Sequence, residues 1–221
     1  MFEKAIELDP QYASAYTGVS WTHFRNVGHG WTEFADQSLQ LALDFAQKAL
    51  ELDPINAEAY DLKGSIHIFQ AQYALAINEL NRAIELNPNN SGSYNSLGWI
   101  LLWSGRTDEA IIAMEKSVRL DVKSKSNVFL HLGYAYYLKD QYIKALESLE
   151  KGVVQRPNFV GYYIALAATY AQLGRLKDAE RNAATVLRLD PFFELDSFGT
   201  AYRNPTDRGK ILEGLRKAGL K

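Results

Sequence analysis

AEAYDLKGSIHIFQAQYALAINELNRAIELNPNN, residues 57–90, reads as two helices joined by a short turn. At helical spacing Tyr60, Ile66, Phe69 and Tyr73 form one apolar stripe. Ala76, Ile77, Leu80, Ala83 and Ile84 form a second, at i, i+1, i+4, i+7 and i+8. Gly64 falls inside the first helix, where glycine costs about 1 kcal/mol relative to alanine. Its presence predicts a neighbouring helix that passes too close for a larger side chain. Asn87-Pro88-Asn89-Asn90 ends the unit, because proline cannot continue a helix and asparagine favours turns and caps.

The same pattern recurs about every 34 residues along the chain. A small residue returns at Gly64, Gly98, Gly133 and Ala167, and an alanine at Ala42, Ala76, Ala110, Ala145 and Ala179. An aromatic returns at Tyr16, Tyr60, Tyr94, Phe129 and Tyr163. Proline returns at Pro10, Pro54, Pro88, Pro157 and Pro191, with Val122 in its place once. Four series on one period mean an all-α solenoid, in which each unit buries its apolar face only against its neighbours. The repeats run 13–56, 57–90, 91–124, 125–159 and 160–193, and residues 1–12 read as the tail of an incomplete earlier unit. Phe2 to Pro10 matches Leu80 to Pro88 in pattern, so the chain is expected to be a piece of a longer array or protein. The first repeat is ten residues longer than the second, and the excess falls around Asn26 to Asp36. An insert of this kind is either a working loop or a neutral extension. The repeat 125–159 has one extra residue, placed in the turn at 124–128.

After Pro191 the pattern changes. Asn204-Pro205-Thr206-Asp207 supplies an N-cap, proline at the first helical position and an acid in the first turn. Ile211, Leu212 and Leu215 follow as an apolar stripe, and Gly219 reads as the stop. Segment 194–221 is therefore expected to cap the array, with Phe192, Phe193, Leu195 and Phe198 filling the space beneath it.

Composition narrows the function. Hydrophobic residues make up 47%, and the formal net charge is −2, so no global basic field draws in nucleic acid or an acidic membrane. No apolar run is long enough to insert in a bilayer, and no secretory leader is visible. There is no cysteine, which removes disulfides, thiolate metal sites and cysteine nucleophiles and fits a reducing, cytoplasmic setting. Catalytic fingerprints are missing from the sequence, so no enzyme activity and no cofactor are expected.

The spacing resembles the tetratricopeptide repeat. The match rests on the residues above together with Leu97-Gly98, Gly105-Arg106 and Leu173-Gly174-Arg175, and covers residues 2–193. The resemblance implies antiparallel helix pairs stacked into a right-handed superhelix, with the first helix of each pair lining a concave groove. A second resemblance is narrower. The ending from Tyr202 to Leu220 is similar to the tail that follows tetratricopeptide arrays in bacterial class III adenylate/guanylate cyclases and related signalling proteins, and the long first repeat with its Gly-His-Gly-Trp is similar to the same group. It implies a regulatory segment.

On the implied geometry the groove presents Trp21, Phe24, Phe69, Trp99, Trp103, Tyr134 and Tyr137. Aromatics give large contact area at low entropy cost and are enriched at binding hot spots. The functional reading is a groove for a protein or peptide segment; the plain alternative is packing between adjacent first helices. A family subgroup grips a C-terminal carboxylate with Lys, Arg and Asn, but here the same faces carry Thr17, Trp21, Asp61, Ser65, Asn95 and Trp99, so that clamp is not expected. His23 and His67 occupy equivalent positions but lack a third ligand, and no metal is expected at any of the four histidines, His29 and His131 included. The rivals are self-association of copies through the exposed terminal half repeat, with Phe2, Ile6 and Leu8 as its apolar face, the regulatory C-terminal region of a nucleotide cyclase or similar signalling enzyme, and a groove that holds a small apolar ligand.

Overall fold

The computed structural model describes residues 1–28, 30–121, 127–200 and 202–221. Among these the regular structure is helical. The helices are α1 (Phe2–Leu8), α2 (Ala13–Gly28), α3 (Ala35–Leu52), α4 (Ala57–Phe69), α5 (Tyr73–Leu86), α6 (Ser91–Trp103), α7 (Thr107–Leu120), α8 (Val128–Leu138), α9 (Tyr142–Gln155), α10 (Val160–Gln172), α11 (Leu176–Leu189) and α12 (Pro205–Lys217). A single 3-10 turn, Leu195–Ser197, precedes α12. The chain divides into two compact units, Met1–Leu97 and Gly98–Lys221, with the division inside α6.

In the N-terminal unit α1 packs on α2, α2 pairs with α3, and α4 pairs with α5. Helix α4 also rests on both α3 and α2, so the first helices of successive pairs are neighbours. The C-terminal unit repeats this arrangement: α8 pairs with α9 and α10 with α11, and α10 rests on both α9 and α8.

The small-residue series has the reason expected of it. A Cβ added at Gly64 would lie 2.6 Å from Leu80 Cγ and 3.3 Å from the Ala76 carbonyl oxygen. At Gly98 the corresponding atoms are Met114 Cγ at 2.5 Å and the Ala110 carbonyl at 3.2 Å. The recurring alanines Ala42, Ala76, Ala110, Ala145 and Ala179 have no exposed surface. In the first repeat the same place is held by Ser20, fully buried, whose hydroxyl donates to the Ala42 carbonyl. The sequence series missed it because serine reads as polar.

Each tight turn within a pair places one residue in the left-handed region: Ala71, Gly105, Asp140 and Gly174. The next amide then reaches back five residues, as from Gln72 to His67 and from Arg106 to Leu101, which closes the first helix. Between pairs, the residue before proline turns extended and its side chain accepts from the amide two residues on. Asp53 does so with Ile55, Asn87 with Asn89 and Asp190 with Phe192. Tyr16 and Tyr163 donate to the carbonyls of Pro10 and Pro157, six residues upstream, which gives the recurring aromatic a second role. Val122 and the extra residue near 124–128 lie outside the described residues, apart from Asn127 and Val128 at the start of α8.

The ten extra residues of the first repeat lengthen its helices as well as its loop. Helix α2 has 16 residues against 13 in α4, and α3 has 18 against 14 in α5. Trp31 and Phe34 in the connection are 71% and 64% exposed, so the loop does not fold them inward.

Helix α12 departs from a simple end cap. It packs chiefly on α10 and also reaches α8, the first helices of two successive pairs. Its stripe of Ile211, Leu212 and Leu215 is buried there, and Ala218 and Leu220 beyond it are buried too. The expected filler residues split: Leu195 is buried, Phe193 and Phe198 are half-buried, and Phe192 is 90% exposed.

Candidate functional site

The face made by the first helices behaves differently in the two units. In the C-terminal unit the final segment covers it. Tyr134 and Tyr137, expected to line an open groove, are 6% and 1% exposed. The reason is the closeness of α12: a Cβ added at Gly214 would overlap the Tyr137 hydroxyl and lie 3.1 Å from Ala168 Cβ. The Tyr137 hydroxyl donates to the Lys210 carbonyl at 2.9 Å and accepts from Gln172 Nε2 at 3.1 Å. Burial pushes its pKa up to about 12; the Gln172 hydrogen bond opposes this, and the Glu213 and Asp140 carboxylates add to it. Lys210 donates to the Leu138 carbonyl at 2.9 Å and pairs with Asp140 at 2.7 Å. Lys217 donates to Gln172 Oε1 at 3.2 Å. Further along, the Phe198 ring lies 6.3 Å from that of Tyr134, and the Arg203 amide donates to the Trp103 carbonyl.

Trp99 and Trp103 meet edge to face at 4.7 Å, and both are half-buried. The Trp99 ring also stacks on His131 at 5.4 Å. His131 as a residue is only half-buried, yet its Nδ1 is sealed from solvent without a hydrogen-bond partner. Burial lowers its pKa to about 4.

In the N-terminal unit the face stays open. Trp21 and Phe24 on α2 are half-buried and pack against the cluster of Leu39, Ala42, Leu62 and Ile66. Groove wall and core packing are therefore both true of them. Their rings meet edge to face at 5.7 Å, and Phe24 meets Phe69 of α4 the same way at 5.2 Å. Phe69 itself is 47% exposed. The Trp21 indole N–H donates to Glu58 Oε1 at 3.0 Å, which ties α2 to the first turn of α4. That turn is fixed by Asn56, whose side chain caps the Ala59 amide. A cavity of about 670 Å³ opens here, lined by Phe2, Tyr12, Gly18, Trp21, Arg25 and Glu58 among others. Phe2 sits over Gly18, where any Cβ would strike its ring.

Asp61, one turn beyond Glu58 on α4, is 8% exposed and its Oδ1 has no hydrogen-bond partner. Burial raises its pKa from the ordinary aspartate value, and Glu58 adds to this. The Ser93 hydroxyl lies near enough to temper the shift but outside hydrogen-bond geometry. The sequence places Asp61 on the groove face, but only as evidence against a carboxylate clamp; its burial without a partner was not legible there.

The histidines have ordinary roles. His23 stacks on Phe45 at 5.8 Å, and His67 Nδ1 hydrogen-bonds Gln72 at 2.7 Å. His29 lies outside the described residues. Among the described residues no group of three or more His, Cys, Asp or Glu could hold a metal ion, and no helix is long and apolar enough to cross a membrane.

Comparison with known proteins agrees with this architecture. Tetratricopeptide-repeat family models match residues 57–90 and 79–112, and the model for subunit 3 of the anaphase-promoting complex, or cyclosome, matches 103–185. The mouse DnaJ homolog subfamily C member 7 is 37% identical over 73 residues, 33% of this chain and 15% of that protein. Among solved structures, YrrB, described as a tetratricopeptide-repeat protein with an unusual peptide-binding site, is similar with a TM-score of 0.65 at 22% identity, over 86% of this chain and 93% of that one. PilF of Pseudomonas aeruginosa gives 0.72 at 22% identity, over 87% and 82%. A chain of the Cut9–Hcn1 assembly gives 0.75 at 20% identity, over 98% of this chain and 38% of that one. Repeat spacing, helix pairing and these matches agree: residues 57–112 carry tetratricopeptide repeats, within a solenoid of helix pairs.

Proposed function

We propose that the protein is an interaction scaffold that binds a peptide or protein segment on the first-helix face of its N-terminal unit, without bond chemistry. The observation that carries the reading is the aromatic run Trp21–Phe24–Phe69 beside a cavity of about 670 Å³. Half-exposed aromatics on a rigid helical wall offer contact area that is already ordered, so binding fixes few side chains. The C-terminal unit has filled the equivalent face with its own α12. The unusual peptide-binding site described for YrrB supports a peptide as occupant.

The test is selection of binders from a displayed random dodecapeptide library on the full-length protein, followed by affinity measurement on Phe69→Ala. Phe69 is exposed enough that its removal leaves the fold intact. Loss of tenfold or more in affinity is expected, about 1.4 kcal/mol, the scale of a hot-spot contact. Binders indifferent to both Phe69→Ala and Trp21→Ala would refute the site.

Self-association is the second reading, favoured by α1. No residue of that helix is buried, and Phe2 and Leu8 are 44% and 77% exposed, while Ile6 is half-buried. Light scattering over a concentration series decides it: a constant monomer mass removes this reading.

A further inference from the structure

The charges of the two units are strongly unequal. Residues 1–97 carry twelve carboxylates against five basic side chains, a formal net charge of −7, whereas residues 98–221 carry fourteen against nineteen, a net +5. The near-neutral whole hides an acidic half, and the open aromatic face belongs to that half. An acidic surface raises the local concentration of cationic segments and speeds their encounter with it.

The polar groups on α4 make the demand specific. Glu58 and Asp61 are three residues apart and share one side of the helix. Neither makes an ion pair among the described residues. Glu58 Oε1 takes the Trp21 indole N–H, and Lys63, two residues past Asp61 on the same helix, is committed to Glu79 at 2.9 Å. Asp61 Oδ1 is sealed and lacks a donor. The buried Asn95 Oδ1 and the Ser93 hydroxyl, both from the start of α6 in the same unit, also have no hydrogen-bond partner. Buried acceptors without donors are rare in folded proteins, and each asks for an explanation. These atoms lie beneath the surface, and the carboxylate a bound segment meets first is that of the exposed Glu58. A lysine ammonium brings three N–H donors and an arginine guanidinium five, and neither brings an acceptor. Both carry apolar stems that pack on aromatic rings, and their charged heads are attracted to ring faces.

We infer that the first-helix face of the N-terminal unit takes a lysine or arginine side chain of the bound segment, with the exposed Glu58 as its carboxylate partner, the charge of Asp61 adding to the attraction from beneath the surface, and Trp21 and Phe24 as the wall for its stem. The inference rests on the proposed peptide-binding role. Arg25 also lines the cavity. It disfavours a run of cations, so the fitting segment holds one basic residue among apolar or acidic neighbours.

The experiment uses the same dodecapeptide library on the full-length protein. Selected binders that depend on Phe69 are resynthesised with the basic residue replaced by glutamine, and measured by fluorescence anisotropy on wild type, Asp61→Asn and Glu58→Gln. A lysine or arginine is expected at one fixed position among the binders. Its replacement should weaken binding tenfold or more on wild type and by less than threefold on Asp61→Asn or Glu58→Gln, because the carboxylate and the cation act as one unit. Asp61→Asn keeps the shape of the side chain while removing a buried charge, and Glu58→Gln still accepts the Trp21 N–H, so both variants retain the fold. Binders that need Phe69 but show no basic position, or lose as much on the two variants as on wild type, overturn the inference and leave the peptide groove standing. A library that yields nothing dependent on Phe69 or Trp21 overturns both.

Discussion

Replacing Gly214 by alanine separates a helix that lies across the first-helix face from one that merely ends the array. Alanine is favoured over glycine by about 1 kcal/mol inside a helix. A loosely placed end helix would therefore be stabilised. Here the added methyl would overlap the Tyr137 hydroxyl and stand 3.1 Å from Ala168 Cβ and 3.2 Å from the Ala168 carbonyl oxygen. Backbone on one side and a fully buried tyrosine on the other leave little room to yield. Overpacking of this kind costs about 1–3 kcal/mol. Lifting α12 also disturbs the hydrogen bonds from Tyr137 to Lys210 and from Gln172 to Tyr137, each worth about 1 kcal/mol net. The expected balance is a loss of about 1–3 kcal/mol. Gly209 on the same helix is the control, since nothing lies within 4 Å of a Cβ added there. Gly209→Ala should gain up to about 1 kcal/mol. For a chain of this length 1 kcal/mol moves Tm by about 2–4 °C, so thermal melts should move the two variants in opposite directions. Hydrogen exchange on Gly214→Ala should show faster exchange in α12 than in α11. A Gly214→Ala protein as stable as Gly209→Ala, with α12 still protected, would refute the packing described above.

The remaining predictions concern charge and backbone strain. Asp61→Asn should raise Tm at pH 7, because the folded state holds that carboxyl at a raised pKa; the gain should shrink as pH falls through the raised pKa and the wild-type carboxyl takes up its proton. His131 works in the opposite sense. Its folded pKa of about 4 lies below the unfolded value, so its stability contribution is full above about pH 6.5 and is lost as pH falls toward 4. The full shift corresponds to about 3 kcal/mol, and the exposed part of the ring reduces this to about 2 kcal/mol; melts at pH 7 and pH 5 on wild type and His131→Gln should show the variant with the shallower pH dependence. Ala71→Gly should stabilise by about 1 kcal/mol, because φ of 56° at Ala71 is costly for any side chain; an unchanged or lower Tm would show that the Ala71 methyl makes a compensating contact.

Asp140 shows why the last of these predictions does not transfer to its own equivalent turn. It too stands in the left-handed region, at φ 59°, where Gly105 and Gly174 stand in other repeats. Its carboxylate, however, pairs with Lys210 of α12 at 2.7 Å and takes the Tyr142 hydroxyl, and these partners lower its pKa. Asp140→Gly would relieve strain but remove one of the ties to the helix that covers Tyr137.

That trade marks the limit of what the sequence reveals. A period of about 34 residues fixes helices, turns and close crossings, because each depends on contacts within a repeat or with the next one. Gly64 against Leu80 is sixteen residues of separation; Tyr137 against Lys210 is seventy-three. The stripe Ile211, Leu212, Leu215 says that α12 is buried on one side, but an apolar stripe fits any apolar surface. The discriminating mark was in the chain: Gly214 and Ala218 lie beside that stripe, and small residues among buried positions indicate a close crossing. The same reasoning that explains Gly64 applies to Gly214, and it points to a helix pressed onto a neighbour's wall. An aromatic face that is covered and an aromatic face that is open read alike in sequence, as Tyr137 and Phe69 do. What distinguishes them is which segment of the chain returns to cover one of them.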